Sequence, residues 1–130
     1  LERGFFMKKK ILVVDDHADF RSVVIKHIKT QMGDLEVFEA ATGEMGVTKA
    51  SCVKPDIVLM DISLPNISGL EAARCIKEDH PACEIIILTV FDVLVFKNAA
   101  DKVNAKDFIG KSEIYDRLLP AIRKCLDHKK

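Results

Sequence analysis

Pro55-Asp56-Ile57-Val58-Leu59-Met60-Asp61-Ile62-Ser63-Leu64-Pro65 is the stretch that decides the fold. Four consecutive apolar residues, Ile57 to Met60, run straight into Asp61. A short apolar run without alternation suits a strand buried on both faces, as in a parallel sheet covered by helices. Asp61 then stands at the carboxyl end of that strand, where open α/β sheets gather their chemistry. Pro65 keeps its predecessor extended and delays the next helix. Taken alone, a strand-end aspartate is more often a helix cap or turn residue than a nucleophile. Its meaning depends on what other strands bring to the same edge.

Upstream, Ile11-Leu12-Val13-Val14 is a second unbroken apolar run, and it also ends in acid, at Asp15-Asp16. A helix is predicted from about Asp19 to Met32, with Phe20, Val24 and Ile28 on one face, Val23 and His27 beside them, and Gly33-Asp34 as its stop. Leu35 to Ala40 partly alternates and predicts a shorter strand near the sheet edge. Thr42-Gly43-Glu44 opens a second helix that Lys54-Pro55 stops.

Downstream of Asp61, a loop from Pro65 to Gly69 leads into a third helix carrying Leu70, Ala73 and Ile76, closed by His80-Pro81. Glu84 to Thr89 is another buried strand, ending in a hydroxyl. A fourth helix is expected over about 92–103, then a short strand Phe108-Ile109-Gly110 ending at Lys111. The last helix, from about Ser112 to His128, spaces Ile114, Leu118, Ile122 and Leu126 at strict fours, with Pro120 inside it expected to bend it. Strand and helix thus alternate five times, which predicts right-handed crossovers and a doubly wound, five-stranded parallel sheet with helices on both faces.

The chain has 130 residues, enough for one well-buried domain, and nearly half of them are hydrophobic. Twenty basic and 20 acidic residues give a net charge of zero, which offers no electrostatic case for nucleic acid. The first βα turn, Asp15-Asp16-His17-Ala18-Asp19, is acidic and lacks glycine, so it would repel a dinucleotide pyrophosphate, and there is no P-loop. Cys52, Cys75, Cys83 and Cys125 follow no metal or disulfide spacing and read as reduced thiols, mostly in the core. No apolar run approaches the ~20 residues of a membrane span, and a cytoplasmic protein with no membrane contact is expected. Residues 1–8 are set apart as an N-terminal extension, with Met7 as a candidate natural start; the folded domain is assigned to 9–130. Lys8-Lys9-Lys10 reads as a solvated lead-in, and His17, His27, His80 and His128 as scattered, solvated residues.

Four of the five predicted strands end in polar groups at one edge: Asp15-Asp16, Asp61, Thr89 and Lys111. Carboxylates gathered there repel one another unless a hard divalent cation joins them, and Mg²⁺ suits an all-oxygen set. A hydroxyl and an ammonium facing the same point would complete a site for a transferring phosphoryl group, and carboxylates serve as nucleophiles in aspartyl-phosphate chemistry. Individually each residue has a plainer reading. Thr89 is a β-former, Lys111 a solvated terminus residue, and Phe108 a core residue in any case.

Val14-Asp15-Asp16-His17, Leu59 to Pro65, Leu88-Thr89 and Phe108-Ile109-Gly110-Lys111, in that order and at those separations, resemble the receiver domain of two-component response regulators. The resemblance covers residues 9 to 128, and the Asp-Asp-His opening is similar to the subfamily whose receivers precede a helix-turn-helix DNA-binding domain. It implies a flavodoxin-like (βα)5 fold with strand order 2-1-3-4-5. It implies Asp61 as phosphoacceptor from a sensor histidine kinase or phosphotransfer protein. Mg²⁺ would be held by Asp16, Asp61 and the Ser63 backbone carbonyl, with Asp15 acting through water. Lys111 would bridge phosphoryl oxygens, and Thr89 and Phe108 would be the switch pair. The output face would combine the last strand with the last two helices and offer a homodimer surface. DNA contact would come only through an output domain outside this chain.

The sequence departs from that pattern in places. Val90 stands where a small residue is usual, which implies slow phosphoryl turnover. Val93-Leu94-Val95-Phe96 is apolar where polar residues are usual, and marks either a reshaped first turn or a partner patch. Ser112 replaces a proline after Lys111, which puts a cis bond there in question, since a non-proline cis bond costs ~2.5–4 kcal/mol. Two other readings stay open. One is a receiver switched by protein contact without phosphorylation; the other is a metal-dependent phosphohydrolase, which would want an acid where Ser63 stands.

Overall fold

Each of the five predicted strands becomes a strand of one sheet in the computed structural model, which describes residues 8–90 and 103–127. In chain order the elements are β1 (Lys10–Val14), α1 (Ala18–Gln31), β2 (Glu36–Ala40), α2 (Gly43–Val53), β3 (Ile57–Asp61), α3 (Gly69–Asp79), β4 (Glu84–Thr89), β5 (Asp107–Gly110) and α4 (Ile114–Asp127), the last preceded by a 3-10 turn over Lys111–Glu113. The five strands are all parallel, in the order β2-β1-β3-β4-β5, as a flavodoxin-like fold requires. Residues 92–102 of the expected fourth helix, with its Val93–Phe96 patch, residues 1–7 and His128 lie outside the described residues, and Val103, the expected end of that helix, is in a turn.

Because side chains alternate along a strand, each apolar run feeds two cores. Ile11, Val13, Ile57, Leu59, Ile86, Leu88 and Ile109 pack with α1 and α4 on one face. Leu12, Val14, Val58, Met60, Ile85, Ile87 and Phe108 pack with α2 and α3 on the other. This two-sided burial is the physical reason the strands read as unbroken apolar runs.

The same period of two positions the polar ends. Asp15 continues the series of Ile11 and Val13, Asp61 that of Ile57 and Leu59, and Lys111 that of Ile109, so all three emerge on the α1/α4 face. Thr89 and Phe108 belong to the opposite series, next to each other on β4 and β5, where Ile87 pairs with Phe108 and Thr89 with Gly110.

Several local expectations need correction. Gly33 does not end α1 through a left-handed turn: no glycine among the described residues has positive φ, and the C-cap is Met32 with its N–H on the Ile28 carbonyl. Lys54 takes the left-handed conformation that closes α2, at φ 52°. Val23 is an exposed residue of α1 and does not join the core. Lys10 is not a solvated lead-in. Its amide donates to Asp56 Oδ2 at 2.8 Å and its ammonium to the Val53 carbonyl at 3.1 Å, tying β1 to the start of β3. Of the four cysteines only Cys83 and Cys125 are buried. His27 packs edge-on against Tyr115, with centroids 4.9 Å apart, and is not simply solvated. Pro120 sits inside α4 on its exposed side, and the helix runs through it; Asp116, whose carbonyl loses its N–H donor there, also faces solvent. Among the described residues no peptide bond is cis, Lys111–Ser112 included. No helix among them is long and apolar enough to cross a membrane.

Candidate functional site

At the carboxyl edge of the sheet, β1 and β3 end the same way. Asp15 Oδ1 accepts the His17 amide at 2.8 Å, and Asp61 Oδ1 accepts the Ser63 amide at 3.2 Å. Each acid is thereby held by the backbone two residues on, an Asx-type turn that reverses the chain as it leaves the strand. The pairing of Val14 with Met60 continues to put Asp15 beside Asp61. Both are almost wholly buried, at 1% and 2% exposure.

Lys111 reaches between them from the end of β5. Its ammonium is 2.8 Å from Asp15 Oδ2 and 3.4 Å from Asp61 Oδ2, and lies 4.4 Å over the Phe20 ring of α1. The contact with Asp61 has hydrogen-bond geometry. That with Asp15 is an ion pair without it, since Asp15 Oδ2 is buried and has no hydrogen-bond partner. Burial pushes the Asp61 carboxyl above the usual carboxylate value, and the neighbouring Asp15 charge pushes it further; Lys111 and the Ser63 amide oppose them without cancelling them.

Asp16 is about a third exposed and joins the pocket through His17, whose Nδ1 is 3.3 Å from Asp16 Oδ1 and 3.4 Å from Asp15 Oδ1. Ligand atoms of Asp15, Asp16, His17 and Asp61 all lie within 4.8 Å of one another. Three carboxylates against one ammonium leave two negative charges unbalanced. That excess of charge on an all-carboxylate oxygen set fits a divalent cation.

Thr89 is fully buried at the end of β4, the strand paired with Asp61 through Leu88. Phe108 is 7% exposed in the core on the same face as Thr89. Ser63 is exposed. The structure therefore gathers Asp15, Asp16, Asp61 and Lys111 into one pocket, and sets Thr89 and Phe108 beside it on the other face.

Four contributors escaped the sequence reading. His17 is not a scattered solvated residue but a member of the acidic cluster. Phe20 roofs Lys111. Arg21 donates from Nη1 to the Asp15 carbonyl and from Nε to Glu39 at 2.7 Å, pinning the β1–α1 turn to β2. Gly69 opens α3 with its amide on the Ile62 carbonyl at 3.1 Å, and a Cβ there would lie 1.9 Å from the Asp61 carbonyl oxygen. The signal for Gly69 was present: Gly directly after the cap Ser68 is an unfavourable helix opener that propensity does not explain.

Lys111→Met leaves Asp15 and Asp61 buried without their cation. We expect a loss of about 3 kcal/mol in urea unfolding measured in EDTA, in the range for breaking a buried ion pair. Millimolar Mg²⁺ should recover part of it; an unchanged urea midpoint in EDTA would refute the pairing.

Comparison with known proteins agrees with this geometry. Residues 11–123 match the family model described as the response regulator receiver domain. The chain is 36% identical to the chemotaxis protein CheY of Thermotoga maritima over 118 residues, 91% of this chain and 98% of that one. Several other curated relatives are longer, and the chain spans about half of them: the response regulator GacA of Pseudomonas syringae is 34% identical over 88% of this chain but 53% of its own. Among solved structures, a LuxR-family two-component response regulator from Aurantimonas superposes with a TM-score of 0.86 at 31% identity, covering 94% of this chain and 87% of that one. The response regulator TrrA of Thermotoga maritima, in complex with Mg²⁺ and a beryllium fluoride, superposes with a TM-score of 0.81 at 30% identity, covering 90% and 98%. On both sequence and architecture, the chain belongs to the response regulator receiver domain family.

Proposed function

We propose that this chain is a phosphorylation-dependent switch in which Asp61 accepts a phosphoryl group from a phosphohistidine on a sensor histidine kinase or phosphotransfer protein. The observation that carries it is Lys111 between two buried carboxylates, one of them Asp61. An Asp61 oxygen attacks phosphorus in line; the O–P bond forms as the N–P bond breaks, and the imidazole leaves and takes up a proton. Burial and the Asp15 charge make Asp61 costly to keep ionised, so its reactive carboxylate is raised in energy before attack. Lys111 hydrogen-bonds Asp61 Oδ2 and is positioned to move onto the phosphoryl oxygens.

Asp16, Asp61 and the Ser63 carbonyl would hold Mg²⁺. The Asp15 oxygen is already shared with the Lys111 ammonium, which favours a role through water. The cation supplies charge neutralisation of the equatorial phosphoryl oxygens. The Mg²⁺-bound relative supports this assignment. The phosphate then draws Thr89 toward it, Phe108 fills behind, and the face of β5 and α4 changes shape to engage an output domain or a second copy. Domain limits of 9–130 and a cytoplasmic setting belong to the same proposal. So does DNA contact through a separate output domain, for which the LuxR-family neighbour is the support.

The test is acetyl phosphate or beryllofluoride with Mg²⁺, followed by mass and by amide NMR. One phosphoryl group added at Asp61, with shifts at Thr89 and along β5, is expected. No response in either measurement sinks the proposal; steady turnover of phosphomonoesters would turn it toward a hydrolase.

Val90 follows the buried Thr89 yet is 70% exposed, at the mouth of the strand end. Its isopropyl group would screen phospho-Asp61 from water. Val90→Ala is therefore expected to shorten the phosphoryl lifetime several-fold, measured by loss of label after donor removal. An unchanged, fast hydrolysis would remove Val90 from this role.

A further inference from the structure

We propose that Phe20 is a positioning residue for phosphoryl transfer to Asp61. The face of its ring holds the Lys111 ammonium in place while that ammonium passes from the carboxylates to the phosphoryl oxygens. Its role depends on the proposed reaction, and it adds to that reaction a residue outside the charged set.

Topology creates the need. Lys111 leaves the sheet from β5, whereas its partners stand on β1 and β3, with β4 between. With strands about 4.8 Å apart, the ammonium works roughly 10 Å or more from its own strand. A long, flexible stem loses much rotamer freedom when its head is fixed so far out. The carboxylates alone fix it loosely. The contact with Asp61 is long, at 3.4 Å, and the ion pair with Asp15 lacks hydrogen-bond geometry.

Phe20 supplies a further restraint. Its ring centroid is 4.4 Å from Lys111 Nζ, within the ~6 Å over which the negative ring face attracts a cation. The Lys111 side chain is only 8% exposed, so little water competes with the ring. The ring is itself anchored: α1 packs Phe20 against the core, and Arg21, next in sequence, ties the first turn of α1 to the Asp15 carbonyl and to Glu39. Attraction to a ring face has no fixed donor direction, so it persists as the ammonium exchanges one oxygen for another. A plain core role would need only apolar volume, which leucine also supplies.

The experiment replaces Phe20 in the full chain with mono- and trifluorinated phenylalanine, which weaken the negative ring face at nearly constant shape, and with Tyr and Leu. Labelling by acetyl phosphate is followed across Mg²⁺ concentrations, and the Lys111 methylene protons next to Nζ are followed by NMR. The labelling rate at saturating Mg²⁺ is expected to fall stepwise with fluorination, by about threefold for the trifluorinated ring and about fivefold or more in Phe20→Leu. Phe20→Tyr should stay within about twofold of wild type, and the half-saturating Mg²⁺ concentration should hold throughout, because the ring acts on Lys111 and not on the carboxylates. The Lys111 protons should lie upfield in wild type through the ring current and return to ordinary positions in Phe20→Leu. Rates indifferent to fluorination, Phe20→Leu labelling as fast as Phe20→Tyr, a change confined to Mg²⁺ half-saturation, or unshifted Lys111 protons in wild type would each overturn the role of Phe20 and leave the phosphoryl switch standing. Wild-type protein that takes up no phosphoryl group would overturn the switch and this role together.

Discussion

With Asp61 replaced by asparagine, the chain takes up no phosphoryl group from acetyl phosphate and Mg²⁺, and in EDTA it melts higher than the wild type. The first result follows from chemistry. An amide oxygen is a poor nucleophile, and Asp15 cannot substitute because its Oδ2 is committed to Lys111 at 2.8 Å. The second follows from the direction of the Asp61 shift. Its native pKa lies above the ordinary 3.8, so the native state binds the proton more readily than the unfolded chain does. Between the unfolded and the native pKa, rising pH removes stability, and above the native pKa the full penalty stands. The variant's advantage is therefore complete at neutral pH, shrinks as pH falls through the raised native pKa, and vanishes below the unfolded one. Each kcal/mol recovered raises Tm by roughly 4 °C in a domain of this size. Thermal scans across pH in EDTA, paired with mass spectrometry of the treated protein, check both halves. Residual labelling of the variant would move the phosphoacceptor elsewhere. A lower melting point at neutral pH would mean that the lost Lys111 contact outweighs the removed buried charge.

How much of this was legible before any coordinates is best seen at the strand ends. Ile57 to Met60 and Ile11 to Val14 advertised two-sided burial because parallel strands between helix layers have no polar face, and the sheet is built that way. The polar residues closing those runs could then be gathered at one edge from topology alone. Alternation could have gone further. Counting by twos from Ile11, Ile57 and Ile109 puts Asp15, Asp61 and Lys111 on one face, and so distinguishes Asp15 from Asp16, whose side chain is about a third exposed. The resemblance instead put Asp16 first, a question about the cation and not about the ion pair with Lys111.

What stayed hidden depends on side-chain reach and backbone approach, which periodicity does not encode. Arg21 lies on α1 six residues beyond Asp15 and returns to its carbonyl; a helix wheel places it only at an edge. His17 could as well have been a solvated cap. Gly33 carried the usual helix-stop signal, yet the chain turns at Met32 without a left-handed residue, because the Met32 and Leu35 amides find the Ile28 and Met32 carbonyls.

Gly69→Ala separates helix propensity from close packing at the phosphoacceptor. Propensity alone would favour alanine by about 1 kcal/mol. Packing opposes it: the added Cβ would sit 1.9 Å from the Asp61 carbonyl oxygen and 2.8 Å from the Ile62 Cα, both backbone atoms that no rotamer change can move aside. Either α3 or the end of β3 must shift, and α3 is anchored by the Ser68 cap and the buried Ala72, Ala73 and Ile76. We expect a net loss of about 3 kcal/mol in urea unfolding, at the upper end for overpacking, with slowed labelling in whatever fraction remains folded. The slowing arises because the displaced atoms belong to Asp61 itself, and the Ser63 amide that holds its carboxylate lies within the same turn. Gly33→Ala is the control. Its Cβ would meet only the Lys29 carbonyl, at an ordinary 3.5 Å, with no positive φ to strain, so it should be neutral or gain up to about 1 kcal/mol and label at the wild-type rate. A Gly69→Ala protein as stable as this control would show that α3 can retreat freely, and would detach the start of that helix from the positioning of Asp61.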